Sequence, residues 1–146
     1  MDIVPVSLAI AQAAKETGWG TSRFALEGNA LFGQWTWSDD GIKPASADSD
    51  SKHKVMKFKV LKASVRAYQR NLNTHSSYRE FRKVRAIQRD NQGNLNSLEL
   101  VKYLDEYAET GVKYTEILKK IIEQNKLTDF DKASILPTSK KLKSLI

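Results

Sequence analysis

Residues 9–35, AIAQAAKETGWGTSRFALEGNALFGQW, decide how the chain is read. Ala9, Ala11, Ala13 and Ala14 predict a helix over 6–17 that a neighbour can approach closely, and Pro5 suits its first position, where a missing N–H costs nothing. Gly18 is placed to take the left-handed conformation that ends a helix, so the last turn carries Glu16. A second, short helix is predicted over 22–27, with Ser22 as N-cap and Gly28 as its stop. On the first helix Glu16 shares a face with Ala9, Gln12 and Ala13, which turns it toward the interior.

Glu16 has two readings at this level. One is an ordinary solvent-facing glutamate in a last turn, the commoner role of helical glutamates. The other is a general acid, because Trp19, Phe24, Phe32, Trp35 and Trp37 are close by in sequence. A carboxyl desolvated by aromatics has its pKa raised, which keeps it protonated near neutral pH. The dipole of a helix C-terminus also opposes a carboxylate, so the placement is locally unfavourable.

The 146 residues fit one domain with a real core, at 40% hydrophobic and 28% charged. No apolar run is long enough to span a membrane. The chain lacks cysteine, which excludes disulfides, thiol catalysis and thiolate metal sites. A net charge of +7 favours an anionic partner. The sequence reaches Pro5 and a helix with no secretory signal ahead, which reads as a processed or excised fragment.

Segments 31–37 and 54–60 read as a β-hairpin. Met56, Phe58 and Val60 alternate with Lys57 and Lys59, and Trp35 and Trp37 share one face. The polar linker between them forms a long loop. Helical spacing then returns, with Leu61, Val65, Tyr68 and Leu72 on one face and Tyr78, Phe81 and Val84 on the next helix. The other faces of that second helix carry Arg79, Arg82, Lys83, Arg85 and Arg89 as a solvated basic surface. Asn96 and Glu99 open a helix bearing Leu100, Val101, Leu104 and Tyr107, which Gly111 ends. A last helix over 112–125 turns Ile117, Leu118, Ile121 and Ile122 inward, and a lysine-rich tail, partly ordered, follows over 128–146. The sum is an α+β, mainly α domain over 1–127, with the hairpin as a side lobe.

Trp19, Phe32, Trp35, Trp37, Tyr68, Tyr103, Tyr107 and Tyr114 suit either core packing or the C–H faces and hydroxyl edges of sugar rings. Asp39, Asp40, Asp48 and Asp50 in the loop are solubilising residues, of which one or two can act opposite Glu16. Paired-carboxylate hydrolysis needs a separation of roughly 5–10 Å. His53 and His75 lack ligand spacing, so no metal site is expected, and no phosphate-binding or serine-nucleophile motif occurs. Nothing of a nucleic-acid motif accompanies the basic helix.

The segment AQAAKETGWGTSRFALEGNALFG resembles the signature of glycoside hydrolase family 73, the peptidoglycan N-acetylglucosaminidases, with Thr17 in place of a serine. MKFKVLKASVRAYQRNLNTHSSYREFR and YAETGVKY are similar to two later family segments, and NLNTH and FGQWTW are most like bacterial Bax-type proteins. The likeness covers residues 3–127, and the family's usual first helix is missing. It implies a lysozyme-like fold, a helical lobe and a small β-lobe flanking a cleft. Glu16 matches the catalytic glutamate that protonates the glycosidic oxygen, and Tyr107 matches a tyrosine implicated in catalysis. Glu109 and Thr110 stand where the family has threonine and aspartate. Asn29, Phe32, Gly33 and Trp35 would line the sugar subsites, with Trp19, Tyr68 and Tyr114 assigned to substrate binding beside them. Asp48 is the choice for the second carboxylate, with Asp50 and Asp39 behind it.

The resemblance implies a cofactor-independent, monomeric hydrolase of the bacterial cell envelope, periplasmic or extracellular. Its partner would be peptidoglycan glycan strands, cut at the β-1,4 bond after N-acetylglucosamine, and not nucleic acid. The alternatives are a lytic transglycosylase, which shares the fold and a single glutamate, and a non-catalytic glycan-binding module.

Overall fold

Helix α1 spans the expected residues, Val6–Thr17, with Pro5 as its N-cap rather than in its first turn and with no side-chain cap bond. In the computed structural model, which describes residues 1–37, 41–44 and 54–133, one free N-terminal donor is met from far along the chain. The Asp131 carboxylate accepts from the Ser7 N–H at 2.8 Å and from Ser7 Oγ at 2.7 Å. Asp131 sits in a 3-10 turn, Leu127–Lys132, that packs along α1.

At its other end α1 stops at three consecutive left-handed residues: Gly18 (φ 56°), Trp19 (φ 60°) and Gly20 (φ 82°). Thr17 holds this turn: its hydroxyl donates to the Ala13 carbonyl at 2.6 Å and accepts the Gly20 N–H at 2.8 Å. The hydroxyl, which serine would also supply, is the group in use here. Helix α2 (Arg23–Gly28) follows, with Ser22 Oγ accepting from the Ala25 N–H as expected of an N-cap. Asn29, at φ 49°, rather than Gly28, forms its left-handed C-cap.

The β-lobe is smaller than the alternation predicts. β1 (Trp35–Thr36) pairs antiparallel with β2 (Lys54–Val55), Trp35 opposite Val55, and Ile42 pairs Val55 from the other side. Met56 N–H still donates to the carbonyl of Gln34, the residue opposite it in the strand register, but Phe58 N–H donates to the Gly28 carbonyl, which ties the segment to the end of α2 instead of extending the sheet. Val60, expected as a strand residue, is the exposed N-cap of α3 (Leu61–Thr74).

A 3-10 turn at Ser76–Tyr78 leads into α4 (Arg79–Gln92). Asn96 caps α5 (Ser97–Leu100) through the Glu99 N–H, and a kinked 3-10 segment, Val101–Tyr107, continues it. Helix α6 (Val112–Gln124) packs on that segment and on α1. The core joins Leu8 and Ala11 of α1 to Phe32, to Tyr68 and Leu72 of α3, to Phe81, to Leu100, Val101 and Leu104, and to Leu118 and Ile122 of α6. One residue of the basic face departs from expectation: Arg85 is buried, not solvated. It donates to the Ile3 carbonyl at 3.0 Å and to Asn73 Oδ1 at 2.6 Å, pairs with Asp2, and lies over the Phe81 ring. A planar, multiply donating guanidinium can fill such a site, whereas a lone buried cation could not. The architecture is α+β and mainly α, lysozyme-like, with a helical body and a small two-stranded lobe. Among the described residues no helix is long and apolar enough to cross a membrane.

Candidate active site

A cleft of about 980 Å³ runs between the helical body and the β-lobe, and Glu16 lies in its wall. The last turn of α1 delivers the carboxyl, half-buried, to a point where two neighbours fix it. Tyr114, from the first turn of α6, donates its hydroxyl to Glu16 Oε1 at 2.9 Å. Gly33 lies against the other oxygen: a Cβ added there would stand 2.7 Å from Glu16 Oε2. Gly33 also sits at φ 59°, so both the space and the backbone conformation call for glycine.

Burial pushes the Glu16 carboxyl above the ordinary carboxylate range, opposed in part by the Tyr114 hydrogen bond and the Lys15 charge. The phenols behind it are pushed up as well, Tyr68 and Tyr114 by burial first, so they stay protonated donors at physiological pH. Behind the carboxyl lies further hydrogen bonding. Gln12, one turn before Glu16 and fully buried, donates to Tyr114 Oη at 3.1 Å and accepts from Tyr68 Oη at 2.7 Å.

The floor is Phe32, stacked on Tyr68 with ring centroids 3.9 Å apart and an interplanar angle of 9°. Tyr107 forms part of the wall: its hydroxyl donates to the Phe32 carbonyl at 2.8 Å, and its ring stacks on Tyr114. Burial raises the Tyr107 phenol well above its usual value, so that hydroxyl remains a donor committed to the floor backbone. The β-lobe side presents Trp35 and Trp37, 50% and 77% exposed, and α3 supplies Arg70, Asn71 and Thr74.

Of the residues singled out in the sequence, Glu16, Phe32, Gly33, Trp35 and Tyr107 come together at this cleft. Tyr68 and Tyr114 lie behind its floor, 0% and 2% exposed, and act there through hydrogen bonds and stacking rather than through open faces. Asn29 is turned to structure, its Nδ2 donating to the Phe58 carbonyl at 2.9 Å. Trp19 is 59% exposed in the turn after α1 and is not part of the cleft lining. Asp39, Asp40, Asp48, Asp50 and His53 lie outside the described residues. Glu109 and Gln12 were not singled out by sequence reasoning as working residues. Glu109 lines the cleft beside Tyr107 and is, with Glu16, one of two carboxylates among the described lining residues. Gln12 could have been found from its one-turn spacing to Glu16 on a face otherwise made of alanine. Among the described residues no cluster of three histidine or acidic side chains could hold a metal.

Comparison with known proteins agrees with this architecture. Residues 1–127 match the glucosaminidase family, described as mannosyl-glycoprotein endo-β-N-acetylglucosaminidase. Among curated proteins, the protein bax of Escherichia coli (strain K12) is 35% identical over 126 residues, 86% of this chain. The chain spans 44% of the length of that relative. No solved structure gives a significant match. A family match across residues 1–127, on a lysozyme-like body with a carboxyl in its cleft, makes the chain a member of the glucosaminidase family of glycoside hydrolases.

Proposed function

We propose that the chain is an endo-β-N-acetylglucosaminidase of bacterial cell-wall glycan, with Glu16 as its general acid. The observation that carries this reading is the Glu16 carboxyl itself: half-buried, raised in pKa, and braced by Tyr114 and Gly33 in an aromatic-lined cleft. In this reading peptidoglycan strands lie along the cleft, with Trp35 and Trp37 as sugar platforms and Phe32 and Gly33 as the floor. Protonated Glu16 gives its proton to the glycosidic oxygen after N-acetylglucosamine as the C–O bond breaks. Tyr107 keeps the floor in register through the Phe32 carbonyl. Trp19 offers an outer stacking face, and Asn29, Tyr68 and Tyr114 serve binding by holding the lining in place. The developing oxocarbenium charge is met by Asp48 of the hairpin loop, by Glu109, or by the substrate's own acetamido group. The protein works as a monomer in the cell envelope.

Digestion of purified peptidoglycan, with products read by mass spectrometry, tests the reading. The parent protein is expected to release muropeptides with reducing N-acetylglucosamine ends. Glu16→Gln is expected to lose at least ~10²-fold in rate, the usual scale of a lost general acid. Near-parental turnover by Glu16→Gln would falsify the assignment. Anhydromuramyl ends would instead identify a lytic transglycosylase, and tight binding of wall fragments without turnover a glycan-binding module. Asp48→Asn and Glu109→Gln, assayed side by side, separate the two protein carboxylates from assistance by the substrate.

A further inference from the structure

The polar side chains behind Glu16 form one line of hydrogen bonds, and the line has a direction. Tyr68 Oη donates to Gln12 Oε1, Gln12 Nε2 donates to Tyr114 Oη, and Tyr114 Oη donates to Glu16 Oε1, at 2.7, 3.1 and 2.9 Å. A carboxamide has one accepting end and one donating end, and a phenol has a single proton. With Gln12 donating to the Tyr114 oxygen, the only Tyr114 proton is committed to Glu16. Oε1 is thereby held as an acceptor, and the acid proton of Glu16 belongs on Oε2, the oxygen against Gly33.

We propose that Gln12 and Tyr68 are positioning residues of the hydrolysis, fixing the direction of this line so that the transferable proton of Glu16 stays on Oε2, the oxygen beside Gly33 of the cleft lining. The proposal rests on the reading of Glu16 as general acid. Gln12 and Tyr68 are fully buried and Tyr114 nearly so, which removes solvent as a competing partner and strengthens each bond through its neighbour. Tyr68 is fixed by its stack on Phe32, and Gln12 by the helix that carries Glu16, so the line joins floor and acid in one rigid unit. The line orients a proton and does not conduct one, because the buried phenols hold their own protons.

Gln12→Met and Tyr68→Phe test this, both close in volume to the parent side chains. Gln12→Met frees the Tyr114 hydroxyl to turn and weakens its donation to the carboxylate. The expected result is a kcat for muropeptide release lower by about 10-fold, KM within about 2-fold, and a basic limb of the pH–kcat profile moved upward. Tyr68→Phe keeps the stacked ring and is expected to lose about 3-fold in kcat with the same direction of limb shift. The other groups that act on or share the site with Glu16, namely Lys15, Tyr107, Tyr114 and Glu109, are unchanged in both variants. A merely structural role would lower the melting temperature and leave kcat and the limb at their parental values; that result in either variant overturns the proposal. If Gln12→Met does not fold, Tyr68→Phe decides by the same criterion. An inactive parent protein would overturn the general-acid reading itself, whereas an active parent with unaffected variants overturns only the role of the line.

Discussion

A Cβ at Gly33 and the Glu16 carboxylate compete for one position, 2.7 Å apart. Gly33→Ala is therefore expected to displace the acid and to strain a left-handed backbone. The expected cost is about 1–3 kcal/mol in stability and, through a misplaced carboxyl, about 10²-fold in kcat. Thermal unfolding and turnover on peptidoglycan measure the two together. A second expectation concerns protons. Burial raises the Glu16 carboxyl, so the folded chain binds this proton more tightly than the unfolded one. The resulting stability is fully present below the unfolded carboxyl's pKa and is lost as pH rises through the raised folded value. Glu16→Gln cannot ionise and keeps its stability through that window. Its melting temperature relative to the parent should climb as pH rises from about pH 4, the ordinary range of a free glutamate, through the raised folded value; a pH-independent difference would show that burial does not govern the group. Glu16 was legible as a candidate because its determinants are local: helical spacing, a glycine stop and nearby aromatics. Its bond to Tyr114 was not, since the two lie 98 positions apart and only tertiary packing joins them.

Among the elements, α1 is capped at a distance. Pro5 supplies no capping side chain, and Asp131 does the work in its place. Asp131→Ala is expected to cost ~1 kcal/mol, as losses of helix caps commonly do, and to lower the melting temperature by about 2–4 °C for a chain of this size. Hydrogen exchange should show the loss concentrated at the start of α1; uniform loss would mean that the contact is not a cap. Most helices were legible from apolar spacing and stop signals, as with Asn96 at α5 and Gly18 at α1. The strand over 56–60 was misjudged because alternation reports side-chain faces and not backbone partners. After one more ladder bond at Met56, the Gly28 carbonyl takes the Phe58 N–H and draws the chain off to the end of α2. Arg85 was placed on the solvated face for a related reason: sequence marks it as charged, and its burial depends on the Ile3 carbonyl and Asp2 folding back across α4.

At the scale of the whole molecule, the net charge of +7 would draw in the anionic wall polymer of the proposed function. Screening should weaken this attraction, so KM on peptidoglycan is expected to rise several-fold between about 0.05 M and about 0.3 M salt, with kcat nearly constant. A salt-insensitive KM would remove long-range charge from the account of substrate capture. The bond between Ser7 and Asp131 spans 124 positions of sequence, and that between Glu16 and Tyr114 spans 98. In folding terms the helix that carries Glu16 is local in sequence, and its anchors are not. Its cap and its brace both wait for the segment from α6 onward to close over it, the costly long-range step in a chain of otherwise local helices. A nascent or cleaved chain ending before Tyr114 would leave the Glu16 carboxyl with Gly33 alone beside it, so its hydrogen-bonded brace is assembled only once the last helices have docked.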